Sequence, residues 1–333
     1  MNAESSNTRR PGEGRSTTGR RRAASMLGAV ALGAALLVGG TQAAAADPSE
    51  RAGTVSKGIS KQEASSAVSY WTSERMKNAK SADVLLKDNK KSKPRIEIGA
   101  PTKIKGERPV QKAKPTKNAS ETPVSHIGKV FFTMNGSDYV CSANAVVSAN
   151  ESTVSTAGHC LNEGPGGFAS RFVFVPAYEN GSAPYGTWAA TELHTTPQWA
   201  NQGDITYDGA FAVVAQVNGR TLTDTVGASG VAFNQSRGLT YSAYGYPAAR
   251  PFNGETLESC YGKATDDPYG QTQSQGIPCD MTGGSSGGPW FIGSGTNGYQ
   301  NSVNSFGYSG VRNTMFGPYF GTDIQNAYQQ AQS

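Results

Sequence analysis

Charge, histidine and cysteine are scarce in this sequence: 17% of its 333 residues are Asp, Glu, Lys or Arg, and it has three His and four Cys. So few charges, together with 41 Gly, exclude a coiled coil and weigh against an all-helical fold. Residues 1–121 contain one Trp, one Tyr and no Phe. Their surplus of base therefore lacks the aromatic platforms on which nucleic-acid bases stack, and nucleic acid is not an expected partner. Zinc-ligand spacing is also missing. The nearest approach is the adjacent pair His159-Cys160, so neither a metal nor another cofactor is expected.

The charges that are present divide the chain. Residues 1–121 hold 23 Lys+Arg against 11 Asp+Glu, or +12, and residues 122–333 hold 7 against 14, or −7. Residues 1–46 have the layout of a secretory signal peptide: a charged start ending in Arg20-Arg21-Arg22, an Ala/Gly-rich apolar run from about Ala23 to Gly40, then Ala43–Ala46 before Asp47. Cleavage near Ala46 would leave no membrane span and place the mature protein outside the cell. The paired arginines leave the general secretory and twin-arginine routes both open. Residues 47–121, with 17 basic against 9 acidic residues and few large apolar ones, read as a basic pro-segment, largely unstructured on its own. It either docks on the oppositely charged domain behind it or serves as a solvated linker. The boundary falls between Lys117 and Ile127, where Val124, Ile127, Val130, Phe131 and Phe132 bring in a core.

Residues 122–333 are all-β in pattern, with short runs of Val, Phe, Tyr and Thr between Gly, Asn, Pro and Ser. Strands are expected over Lys129–Met134, Tyr139–Ser148, Arg171–Ala177, Trp188–Leu193, Gly209–Ala215, Leu239–Tyr246, Pro289–Ile292 and Ser302–Tyr308, enough for a large sandwich or a pair of barrels. Only Asp323–Gln332 has helical periodicity, through Ile324, Ala327, Tyr328 and Ala331. All four cysteines, Cys141, Cys160, Cys260 and Cys279, lie in this domain. An even number in an exported chain favours disulfides, and of the three possible pairings the sequential one closes two short loops.

Three stretches carry chemistry. His159 follows Ser155-Thr156-Ala157-Gly158, where small residues let the chain turn tightly beneath the imidazole. Ser286 sits in Gly283-Gly284-Ser285-Ser286-Gly287-Gly288-Pro289, where glycines permit a sharp turn and free the amides of Gly284 and Ser286 to converge on an oxyanion. Asp208 heads the apolar strand expected over Gly209–Ala215 and is better placed than Asp204 to hold a buried histidine.

In this order, Thr-Ala-Gly-His-Cys at 156–160, Asp-x-Ala at 208–210 and Gly-Ser-Ser-Gly-Gly-Pro at 284–289 resemble the chymotrypsin-like serine peptidases, over about Val124 to Ser333. Thr282-Gly283-Gly284 and Gly245-Tyr246-Pro247 make the chain most similar to the secreted bacterial branch that includes the glutamyl endopeptidases. The resemblance implies two antiparallel β-barrels with His159 and Asp208 from the first and Ser286 from the second. It also implies a Cys141–Cys160 bridge, an oxyanion hole at Gly284 and Ser286, and a segment Ser305-Phe306-Gly307 that pairs with peptide substrates. Such an enzyme is a secreted monomeric endopeptidase made as a precursor, and a catalytically silent protease-fold binding protein is the alternative. Two positions depart from the family. Ser285 stands where trypsin-type enzymes carry an Asp that receives the new amino terminus. No histidine follows His194 to read a substrate glutamate. Asp280, six residues before Ser286, is either a pocket-base acid that would read Lys or Arg, or a loop acid beside a disulfide.

Overall fold

A computed structural model describes residues 53–86, 91–108, 122–293 and 295–333. The expected signal peptide lies outside the described residues, as do 47–52, 87–90 and 109–121 of the expected pro-segment. Among the described residues no helix is long and apolar enough to cross a membrane.

The amino-terminal part forms β1 (Val55–Gly58), α1 (Lys61–Tyr70), α2 (Ser73–Asn78), β2 (Lys80–Ser81), a 3₁₀ turn (Ala82–Leu86) and β3 (Thr102–Ile104). The first barrel follows with β4 (Ile127–Met134), β5 (Ser137–Val146), β6 (Thr153–Thr156), β7 (Ser170–Pro176), β8 (Trp188–Thr195), α3 (Pro197–Gln202) and β9 (Ala210–Val214). Asn135-Gly136 joins β4 to β5 with φ of 49° and 73°, the left-handed pair that a two-residue hairpin turn requires. The order β8-β7-β4-β5-β6-β9 closes through antiparallel pairing of β8 with β9, so the six strands make a complete barrel.

The second half contains α4 (Leu222–Val226), β10 (Gly230–Phe233), β11 (Thr240–Gly245), β12 (Glu258–Lys263), β13 (Thr265–Asp266), β14 (Gln275–Pro278), β15 (Pro289–Ile292), β16 (Tyr299–Val303), β17 (Thr314–Gly317) and α5 (Thr322–Ala331). Its strands form one sheet, β12-β11-β15-β16-β10-β3, and a second, β13-β14-β17. The pair β10–β16 is parallel; the other pairs in both sheets are antiparallel. One core containing Ala232, Tyr241 and Trp290 with Ile277 and Met315 joins the two sheets, and the Cys260–Cys279 disulfide ties β12 to the end of β14. The expected strand Ser302–Tyr308 ends at Val303, and Phe306 makes an isolated bridge to Phe316. The expected helix is α5. Its Ile324, Ala327, Tyr328 and Ala331 are buried, and Tyr328 stacks edge-on against Phe211, with 5.5 Å between ring centroids.

One expectation is corrected. The described part of residues 47–121 is not largely unstructured. Strand β1 adds antiparallel to β8, β2 adds parallel to β5, and β3 adds antiparallel to β10. Helix α1 buries Ala64 and Ala67, and Trp71 just beyond it packs on Phe131 and donates Nε1–H to the carbonyl of Arg171 at 2.6 Å. Composition measures whether a segment can build its own core; this one completes the edges and outer face of the sheets that follow it.

Candidate active site

His159 lies in a 3₁₀ turn, Gly158–Cys160, at the end of β6, and its side chain is fully buried. The turn is tight because Gly158 has no side chain: a Cβ there would come within 2.8 Å of the Trp199 indole and 2.9 Å of Asp208 Oδ1. Cys160 bonds to Cys141 on β5, which fixes the far side of the turn. Asp208 ends another 3₁₀ turn, Ile205–Tyr207, just before β9, and is also fully buried. Its Oδ1 accepts the backbone N–H of His159 at 2.8 Å, and its Oδ2 accepts Nδ1–H of the imidazole at 2.8 Å. A third donor, the hydroxyl of Ser305, reaches Oδ2 at 2.5 Å. Nε2 of His159 is buried and has no hydrogen-bond partner. Asp204 is not part of this arrangement; it caps the Ile205 turn and accepts the hydroxyl of Ser92.

Ser286 is held against the histidine turn through its neighbours. Its carbonyl accepts the N–H of Ser142 on β5 at 2.7 Å, and the Ser142 hydroxyl donates to the carbonyl of Gly284 at 3.0 Å. Gly287, at φ +80°, packs so closely on Thr156, Ala157 and the Ser142 carbonyl that a Cβ would collide with all three. Gly284 has φ +96° and abuts Tyr246 and Ala248. Among the described residues nothing accepts from the backbone N–H groups of Gly284 or Ser286. Asn304 ties the loop to Ser305: its carbonyl takes the N–H of Gly287 at 2.8 Å and its Nδ2 donates to the carbonyl of Ser285 at 3.0 Å. Ser285, in place of an acid, donates to the carbonyl of Thr282 at 2.8 Å and closes the loop on itself.

A cleft of about 640 Å³ opens beside Ser286. Ser305, Phe306 and Gly307 line it. Asp280 does not; it is exposed, and Met281 takes the lining position instead. Three lining residues, Asp83, Leu86 and Lys91, come from the amino-terminal part. Asp83 packs its carboxylate against the Cα of Gly283, and Leu86 rests on the cluster formed by Trp199, Ile205, Phe306 and Tyr308. Nothing in the sequence reading marked Asp83 or Leu86. Ser305 was noticed only as a substrate-pairing residue, because its bond to Asp208 spans 97 positions of sequence.

The site's likeness to known proteins agrees with its geometry. The crystal structure of the protease Anisep from Arthrobacter nicotinovorans is 64% identical, with TM-score 0.63, over 64% of this chain and 98% of that one. The thermostable serine protease AL20 from an extremophilic microorganism is 60% identical, with TM-score 0.60, over 62% of this chain and 97% of that one. A Glu endopeptidase shares the fold at 19% identity and TM-score 0.50, over 69% of this chain and 97% of that one. In sequence, an extracellular metalloprotease of Bacillus subtilis is 32% identical over 149 residues; the match takes in 40% of this chain and 44% of that protein's length. No protein-family model matches. The chain belongs to the chymotrypsin-like bacterial serine peptidases. By class it is a serine endopeptidase, a hydrolase acting on peptide substrates.

The metalloprotease name of one relative poses a question of fit. Among the described residues Cys141, His159 and Cys160 are the one group of three possible metal donors. Both sulfurs are bound in a disulfide, and Nδ1 of His159 is committed to Asp208, so the set does not fit a metal.

Proposed function

We propose that His159, Asp208 and Ser286 are the catalytic triad of this endopeptidase, and that the protein is exported as a precursor. The observation that carries the reading is the Asp208 carboxylate. It fixes both the backbone and Nδ1 of His159, so the lone pair of the ring is on Nε2, the nitrogen left without a partner. His159 Nε2 removes the proton as Ser286 Oγ attacks the substrate carbonyl carbon, then delivers it to the leaving amine. Water repeats the sequence on the acyl-enzyme. Asp208 holds the tautomer and stabilises the imidazolium. The unengaged amides of Gly284 and Ser286 take the oxyanion, and Ser305–Gly307 offers backbone to the substrate as an added strand.

Residues 1–46 are read as the signal peptide and 47–121 as a pro-segment that covers the cleft in the precursor. Residues 122–333, which make up 212 of 333 positions, are read as the peptidase domain. The 64% of this chain that matches the Arthrobacter protease equals that share. The mature enzyme is read as a monomer outside the cell, free of the membrane. Asp83 and Leu86 of the 3₁₀ turn Ala82–Leu86 line the cleft, and a turn of this kind does not offer a scissile bond along Ser305–Gly307 as an extended strand would. A fluorophosphonate should label the processed protein on Ser286 alone, and Ser286→Ala should abolish labelling and lower kcat by about 10⁶. A folded, processed protein that is neither labelled nor active would be a silent binding protein instead.

A further inference from the structure

Once the pro-segment leaves, the peptidase domain lines its cleft with no ionised side chain. We infer that the enzyme cleaves after uncharged apolar residues such as Leu, Met, Phe and Tyr, an inference that rests on the serine-peptidase reading above. The substrate side chain next to the attacked carbonyl must enter the space beside Ser286. The walls offered there are Met281, Thr282, Phe306, Tyr308, Thr314 and Met315. The two charged residues that line the cleft, Asp83 and Lys91, both belong to the departing segment. Asp280 is exposed and lies outside the lining, so it is not placed to receive Lys or Arg. Glu or Asp would find no cation and no histidine.

One acid stands behind the wall, and its charge is already engaged. Asp267 is 8% exposed and accepts from the N–H groups of Tyr269, Gln271 and Thr272 and from the hydroxyls of Thr272 and Tyr308, all at 2.7–3.0 Å. Five donors satisfy that carboxylate, and Tyr308 both bonds to it and lines the cleft. An ion entering such a pocket loses hydration and gains no counter-ion. Apolar side chains instead meet two thioethers, which are polarisable and adapt to shape. The pro-segment supplies a precedent, since Leu86 lines this cleft and packs on the apolar cluster that includes Phe306 and Tyr308.

The test uses the full chain, secreted and processed, with active sites counted by fluorophosphonate. Peptide substrates differing only in the residue before the scissile bond should give kcat/KM roughly 10²–10³-fold higher for Leu, Met, Phe and Tyr than for Lys, Arg, Glu or Asp. Labelled enzyme that cleaves as fast after Lys and Arg, or after Glu and Asp, overturns the inference while leaving the peptidase reading intact. Protein that is neither labelled nor active overturns both. Thr314→Asp puts an acid on the wall at a residue whose hydroxyl bonds only to the Arg312 carbonyl. In labelled Thr314→Asp enzyme the ratio of Lys to Leu cleavage should rise at least about tenfold; an unchanged ratio would mean that this wall does not form the pocket.

Discussion

The hydroxyl of Ser305 donates to Oδ2 of Asp208 at 2.5 Å, the same oxygen that holds Nδ1–H of His159. The bond joins the two halves of the molecule, because Asp208 leads into β9 of the closed barrel and Ser305 follows β16 of the six-stranded sheet in the second half. With the histidine backbone on Oδ1, three donors hold the carboxylate in place. Asp208→Asn should lower kcat by about 10⁴, because the amide reverses a donor and acceptor and selects the wrong tautomer. Ser305→Ala, which keeps the carboxylate and loses one donor, should cost roughly tenfold in kcat with KM little changed. Steady-state kinetics on site-titrated enzyme reads both, and an undiminished kcat in Ser305→Ala would make this contact structural only.

Gly158 is a second control on the same geometry. In Gly158→Ala the added methyl must push away either the Trp199 ring or the Asp208 carboxylate. A shift of even half an ångström misaligns the histidine, so kcat should fall by about 10²-fold. Trp199 also donates Nε1–H to the Asn162 carbonyl at 3.0 Å, which leaves it little freedom to yield. Normal kcat in this variant would show that the turn relaxes instead.

Both disulfides span 19 positions, Cys141–Cys160 and Cys260–Cys279. Loop closure of that length is worth roughly 3 kcal/mol, so replacing either pair by Ala should lower stability by about that amount in urea unfolding. The two differ in function. Loss of Cys141–Cys160 frees the turn that carries His159 and should also lower kcat. Loss of Cys260–Cys279 loosens β12 and β14, which carry no triad residue, and should leave kcat closer to normal. Equal kcat losses would refute this distinction.

Docking of residues 53–108 rests on strand addition and apolar burial more than on charge. Among the described residues one ion pair links this segment to the peptidase domain, Arg75 with Asp138 at 3.3 Å, with Arg75 49% exposed. An exposed pair of this kind contributes about 0–1 kcal/mol and is screened by salt. Trp71 is 4% exposed, and removing such a side chain costs about 3–5 kcal/mol. In the unprocessed chain with Ser286→Ala, Trp71→Ala should therefore speed trypsin digestion of the segment far more than raising salt to 1 M does. The reverse order would restore charge as the main force.

Lys129 sets a pH dependence. Its Nζ is buried, donates to the Gly254 carbonyl at 2.8 Å and lies 4.2 Å from the centre of the Tyr178 ring. Burial brings this ammonium down from 10.5 to about 8, with Glu255 opposing the shift. Below pH 8 the lysine is protonated both folded and unfolded, and the full cost of burying the charge, on the order of 3 kcal/mol, is present. Between about 8 and 10.5 the unfolded chain binds the proton and the folded one does not, so stability rises with pH. Burial and Glu255 push the Tyr178 hydroxyl up, so its ionisation opposes folding only above pH 10. Urea midpoints at pH 7, 8 and 9.5 should rise for the wild type and stay level in Lys129→Met. A flat wild-type profile would place this lysine in water.

The sequence alone determined what rests on local pattern. The apolar spacing of residues 324–331 fixed α5, and glycines around His159 and Ser286 marked tight turns. Short polar strands such as β6, β12 and β14, and the brief helices α3 and α4, escaped notice. Their places are set by neighbours on the sheet or by a single capping threonine, Thr196 or Thr221, and not by a run of their own. Helix α1 follows Ser60, whose hydroxyl accepts the N–H of Glu63, a local cap that the segment's composition does not reveal. Composition could not show what would cover that helix, because the burying surface is Phe131 and Val173 of a different barrel. Tertiary structure alone decided that Ser305 rather than another hydroxyl supports Asp208, that Met281 rather than Asp280 faces the cleft, and that Asp83 and Leu86 line it. Each depends on which residues distant in sequence meet when the barrel packs on the sheets of the second half, and no local pattern encodes that meeting.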